Sequence, residues 1–161
     1  MQIYPLLFNN NLKIGNIKSQ NQKFLKFYRS SVAISFIIKC IENEYNLKKI
    51  NIAVPYLYCQ STLNYIKQNN KNININFYDI KIGDDLDLNE LNNKIKYDII
   101  IVVNYFCESK IIRGQKIDPL KFIIEDCTHL INIDKNINNE IDFRIFSPYK
   151  FYPLPYIGIC S

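Results

Sequence analysis

Apolar residues recur along this chain with two periods, and the switching between them predicts its elements. From Ser31 onward Ala33, Phe36, Ile37, Cys40, Ile41 and Tyr45 fall at helical spacing, after a start signal at Ser30-Ser31. Asn51 to Pro55 reads as a short buried strand stopped by proline. Thr62, Leu63, Tyr65 and Ile66 predict a second helix, ending in the Asn-rich turn at 69–72. The segment 73–80 is extended, with apolar residues at Ile73, Ile75, Phe77 and then Tyr78. Asp87 and Glu90 form a candidate capping box for a short helix whose Leu88, Leu91 and Ile95 share a face. The runs 99–103 and 122–124 are apolar throughout, and 143–146 and 157–160 complete the predicted strands. Between them, 108–120 reads as a connection broken at Gly114.

Strands alternating with helices at this spacing imply parallel βαβ units, and uninterrupted apolar strands imply a sheet covered on both faces. The expectation is one α/β domain over residues 29–161, preceded by a lead-in segment at 1–28 with no clear period. No internal repeat or linker interrupts it.

Composition narrows the function classes. With 161 residues, 48% of them hydrophobic and 22% charged, the chain can build one domain with a real core. The net charge of +5 is spread among acids, so there is no concentrated basic face for nucleic acid. Cys40, Cys59, Cys107, Cys127 and Cys160 are odd in number, widely spaced and form no CxxC pair. That argues against a zinc site or a disulfide framework and fits a reducing cytoplasm. Residues 1–11 lack a basic n-region, and no run approaches the ~18 apolar residues of a membrane span.

The chemistry concentrates in the last quarter. The apolar run Ile123-Ile124 ends on Glu125-Asp126-Cys127-Thr128-His129, and a second run ends on Phe146-Ser147-Pro148-Tyr149-Lys150. A carboxylate, a hydroxyl and an amine, each following a strand, suit pyridoxal phosphate. That cofactor needs a Schiff-base amine, an acid at the pyridine nitrogen and donors for its phosphate. Flanking aromatics should strip solvent from Lys150, which favours the neutral amine. Blander readings exist for each residue: a surface lysine, a helix N-cap at Asp126, a structural histidine, a turn-opening serine.

Taken together these segments resemble the DegT/DnrJ/EryC1/StrS aminotransferases, pyridoxal phosphate enzymes that in many cases act on nucleotide-linked keto sugars. Residues 123–129 are similar to that family's "IEDCAH" segment, and residues 146–158 to its "FSxxKxxPxPDGG". Residues 27–34 resemble "FxSGRxAI", 52–59 resemble "VLLPAYxCP", and 102–107 resemble "VVHYFG". The resemblance implies a three-layer α/β/α domain with a mostly parallel, mixed sheet, of the aspartate aminotransferase large-domain type and truncated. It implies that Lys150 forms the internal aldimine and that Asp126 pairs with the pyridine nitrogen. His129 would reach the ring hydroxyl, and Ser147 with the helix start at Ser30 and Ser31 would bind phosphate. Tyr58 or Cys59 would cover one face of the ring. No metal is implied. A homodimer, an amino donor and a keto, sugar-type acceptor are.

The pattern also departs from that family. Ser30 and Cys107 stand where it has glycine, and its acid-and-glycine turn has become Pro155-Tyr156-Ile157-Gly158. The family continues well past the point where this chain ends at Ser161, so a fragment, a truncated product or a degenerate relative without turnover is expected. Strand 157–160 is then expected to lie at an exposed, self-associating sheet edge. A Ser-Lys hydrolase with Ser147 as nucleophile is the rival chemistry. It lacks its Ser-Asp-Asn and Lys-Thr-Gly companions, and Pro153 and Pro155 oppose the helix it needs.

Overall fold

Residues 99–103 are apolar at every position and all five are buried, so neither face of that strand can meet solvent. The computed structural model describes residues 25–80, 85–105, 112–113, 118, 120–130, 141–152 and 158–160, and sets this strand inside a seven-stranded sheet. In chain order the first elements are β1 (Leu25–Phe27), α1 (Ser30–Glu44), β2 (Ile50–Pro55), α2 (Gln60–Asn69) and β3 (Ile73–Tyr78). They are followed by β4 (Leu86–Asp87), α3 (Leu88–Lys94), β5 (Ile99–Val103) and β6 (Ile112–Arg113). The last are β7 (Phe122–Asp126), β8 (Phe143–Phe146), a 3-10 turn at Pro148–Lys150 and β9 (Gly158–Cys160).

The spatial order is β1-β9-β8-β7-β5-β2-β3, with β4 and β6 forming a separate two-stranded ribbon. Strands β8, β7, β5, β2 and β3 are mutually parallel, and β9 runs against both β8 and β1. Side chains alternate across the sheet, and the alternation sorts the core into two layers. Ile52, Val54, Ile99, Ile101 and Ile124 pack with α1 and α2 on one face. Ala53, Ile100, Val102 and Ile123 pack with Leu88 and Leu91 of α3 on the other. The result is helix, sheet, helix.

Several predicted elements form nearly as read, and the differences are instructive. Helix α1 buries Ala33, Ile34, Ile37, Ile38 and Ile41, while Cys40 and Tyr45 stay exposed. The expected stripe is rotated because α1 packs on α2 as well as on the sheet. Ser35 of α1 accepts a bond from the Asn70 amide at 2.9 Å at that second contact. Tyr45 lies past the helix end, where Asn46 takes φ 49°, a left-handed position that asparagine tolerates. Asp87 caps α3 by accepting from the backbone N–H of Asn89 and Glu90, as the box predicts, but the Glu90 side chain turns to Lys94.

Two further expectations change. Strand β7 runs two residues beyond Ile124 and takes Glu125 and Asp126 into the sheet. Strand β9 is not an edge. It is flanked by β8 and β1, so the lead-in segment supplies a strand through Leu25–Phe27, and among the described residues the sheet edges are β1 and β3. Most of 108–120 lies outside the described residues, and Ile112–Arg113 pairs with Leu86–Asp87.

Gly158 is where β9 meets the start of α1. A Cβ there would sit 2.6 Å from both the carbonyl carbon of Arg29 and the amide nitrogen of Ser30. Backbone cannot yield as a flexible side chain can, so Gly158→Ala should cost about 1–3 kcal/mol or more, read as a lowered urea midpoint. An unchanged midpoint would contradict this close approach.

Candidate cofactor site at the carboxyl edge of the sheet

Because β2, β5, β7 and β8 are parallel neighbours, the residues that follow them emerge along one edge. Tyr58 and Cys59 follow β2, Asn104 and Tyr105 follow β5, Asp126 closes β7, and Ser147 follows β8. Sequence distance is thereby converted into adjacency.

Asp126 is the centre of the group. Alternation places it on the α1/α2 face with Phe122 and Ile124, and its side chain is buried. Its register partners are Val103 and Ile145. Tyr58 donates its phenol to Oδ2 at 3.1 Å, and the backbone N–H of Thr128 donates to Oδ1 at 3.0 Å. Among the described residues no cation pairs with it. Burial, followed by the Asp126 charge and hydrogen bond, pushes the Tyr58 hydroxyl well above the ordinary phenol range, so it stays a donor.

Two more groups sense this carboxylate. Tyr105 is pushed up to about 12 by burial and then by the Asp126 charge. Its ring lies 6.4 Å from that of His129, centroid to centroid. His129 is held below the ordinary imidazole range, first by partial desolvation and then by the positive charge of Lys150, against an opposing pull from Asp126. His129 therefore lies within electrostatic reach of both Asp126 and Lys150. The imidazole is neutral at neutral pH, able to accept at one nitrogen and donate at the other.

Ser147 is buried, and its hydroxyl has no hydrogen-bond partner among the described residues. An orphaned buried hydroxyl is uncommon and calls for a partner. At the start of α1, Ser30 and Ser31 are the first two helical residues. The N-cap is Arg29, in extended conformation, and its side chain makes no capping hydrogen bond. The N–H of Val32 already donates to the Arg29 carbonyl at 3.1 Å, while those of Ser30 and Ser31 have no acceptor within the helix, so this end can accept an anion. Cys59 is exposed at the start of α2. A bond with Ser61 Oγ at 3.1 Å is the chief influence drawing its thiol below the ordinary range.

Lys150 departs from expectation. It ends the 3-10 turn and is exposed, as are Phe151 and Tyr152, so the flanking aromatics do not strip its solvent. A turn of three residues per revolution spreads consecutive side chains around its axis, and no single wall encloses them. Residues 153–157, and with them most of the predicted Pro-Tyr-Ile-Gly turn, lie outside the described residues, as does Cys107.

On the opposite face of β7 sits a cluster that motif reading missed. Glu125 Oε2 accepts from Arg144 Nε at 2.6 Å, and Glu125 Oε1 accepts from the Asn104 amide. That amide also approaches Cys127 Sγ at 3.8 Å. The clue was present: Arg144 stands inside an apolar strand and has to find a buried acid. Removing one partner of such a pair strands the other, so Arg144→Met should cost about 3 kcal/mol in unfolding free energy. The double variant Arg144→Met/Glu125→Gln should lose clearly less. A double variant that loses as much as the two single variants added, in urea titrations, would show that the pair is not coupled.

No protein-family model matches the chain, and no curated protein sequence does. Solved structures do match. A NifS-like protein superposes with TM-score 0.61 at 17% identity, over 86% of this chain and 41% of its own. Spr1654 from Streptococcus pneumoniae, described as a sugar aminotransferase and solved in its PLP form, gives 0.62 at 16% identity over 86% and 41%. The ureidoglycine-glyoxylate aminotransferase of Bacillus subtilis gives 0.60 at 14% identity over 89% and 39%. The chain thus spans about two fifths of the length of these structures. The shared fold is that of the aspartate aminotransferase-like α/β domain with a mixed sheet, as the sequence implied.

Proposed function

We propose that this chain is the cofactor-binding part of a pyridoxal phosphate-dependent aminotransferase of the sugar-aminotransferase type. The observation that carries the reading is the buried Asp126 carboxylate, held by two donors at the carboxyl end of a parallel strand, with His129 in electrostatic reach of both Asp126 and Lys150. The residues present fit the cofactor. The orphaned Ser147 hydroxyl and the uncapped start of α1 at Ser30-Ser31 are suited to a phosphate. Asp126 keeps lone pairs on both oxygens for a protonated ring nitrogen. Neutral His129 can donate to the ring hydroxyl, and Lys150 supplies the amine that tethers the aldehyde.

When bound, pyridoxal phosphate supplies an electron-withdrawing ring that accepts charge from a substrate's bond-breaking carbon. Asp126 supports that role by keeping the nitrogen proton in place, and burial strengthens its pull on that proton. An amino donor, a keto-sugar acceptor, a homodimer and a cytoplasmic location belong to the same proposal for the complete protein. A second reading, a relative that binds without turnover, is favoured by one feature: Lys150 is exposed where an enclosed amine would be more reactive.

The test is covalent trapping. Purified protein incubated with pyridoxal phosphate and reduced with borohydride should carry the label on Lys150, located by peptide mapping. Lys150→Ala should abolish that label, and Asp126→Ala should weaken cofactor binding by at least about tenfold. Label spread evenly over surface lysines, or trapped equally well by Lys150→Ala, would overturn the assignment.

A further inference from the structure

The sequence left Tyr58 and Cys59 as alternatives for covering one face of the cofactor ring. The geometry gives Tyr58 different work. Its side chain is only 4% exposed and packs in the core layer that also contains Val54, Leu63 and Val103. A ring enclosed on both faces has none to offer a ligand. Its hydroxyl instead reaches across the end of β5 to the last residue of β7.

We propose that Tyr58 is a positioning residue, which fixes the plane of the Asp126 carboxylate and so acts on the cofactor's ring nitrogen through Asp126. The proposal rests on the pyridoxal phosphate reading for its consequence, but not for the contact itself. A carboxylate rotates easily about its last bond, because that torsion is broad. The Thr128 N–H holds Oδ1, yet a single donor leaves the carboxylate free to swing about it. A second donor on Oδ2, from an element entering on another strand, sets the plane. The lone pairs left over then point in fixed directions, and a ring nitrogen meets an acceptor already aimed. Phenylalanine fills the same space without the donor, which makes Tyr58→Phe the discriminating change.

Two measurements on the full chain test this. The first needs no cofactor: urea unfolding of Tyr58→Phe, Asp126→Ala and the double variant. Each single change strands a buried partner, so the double variant should lose less than the two losses added. Strict additivity would overturn the proposal. The second compares binding of pyridoxal phosphate with that of an analogue carrying C–H in place of the ring nitrogen. Tyr58→Phe should weaken pyridoxal phosphate by about tenfold and leave the analogue unchanged. Equal weakening of both would mean that Tyr58 serves the ring or the fold in general, and would also overturn it. If the unaltered protein binds neither compound, the pyridoxal phosphate reading falls, while the unfolding cycle still decides whether Tyr58 holds Asp126.

Discussion

Two consecutive carboxylates, Glu125 and Asp126, are buried at the end of an otherwise apolar strand, and the arrangement around the site follows from that burial. A desolvated carboxylate left without donors costs several kcal/mol, so the chain has to bring partners to both. Alternation sends the two acids to opposite faces of the sheet, and each face answers differently. Glu125 meets a cation, Arg144, and an amide, Asn104, which ties β5, β7 and β8 together. Among the described residues Asp126 meets neutral donors, a phenol and a backbone N–H. One acid is neutralised and serves the fold. The other keeps lone pairs on both of its oxygens.

Parallel topology makes this concentration possible. Five parallel strands put their carboxyl ends along one edge, so residues as far apart in sequence as 58 and 147 emerge on the same side of the sheet. The antiparallel strand β9 then closes the arrangement. Gly158 lets it lie against the backbone at the start of α1, which brings an uncapped helix end to the same domain. Hydrophobic layers on both faces hold the strands in register, and the polar groups need only be correct at the edge.

Much of this was legible in the residue pattern. Uninterrupted apolar runs such as 99–103 gave buried parallel strands, and an acid directly after one such run pointed to the carboxyl edge of the sheet, where the candidate site lies. What was not legible depended on packing between distant segments. The rotation of α1 came from its contact with α2, through Ser35 and Asn70, which helical periodicity does not encode. The burial of β9 came from Leu25–Phe27, too short a segment to show a period. Lys150 was expected in an apolar enclosure because aromatics flank it in sequence, but adjacency in a tight turn is not adjacency in space. The Tyr58–Asp126 bond joins residues 68 apart and could only be seen once the strand order was known.

The central claim is that Asp126 is the anchor for a pyridine nitrogen. Its most direct test is a crystal structure of the protein soaked with pyridoxal phosphate. The account predicts the ring nitrogen within hydrogen-bond distance of the Asp126 carboxylate, with the Lys150 amine at the aldehyde end and phosphate between Ser147 and the start of α1. A Lys150 amine well over ~10 Å from that carboxylate, further than the ring can span, or a cofactor bound away from this edge, would contradict it.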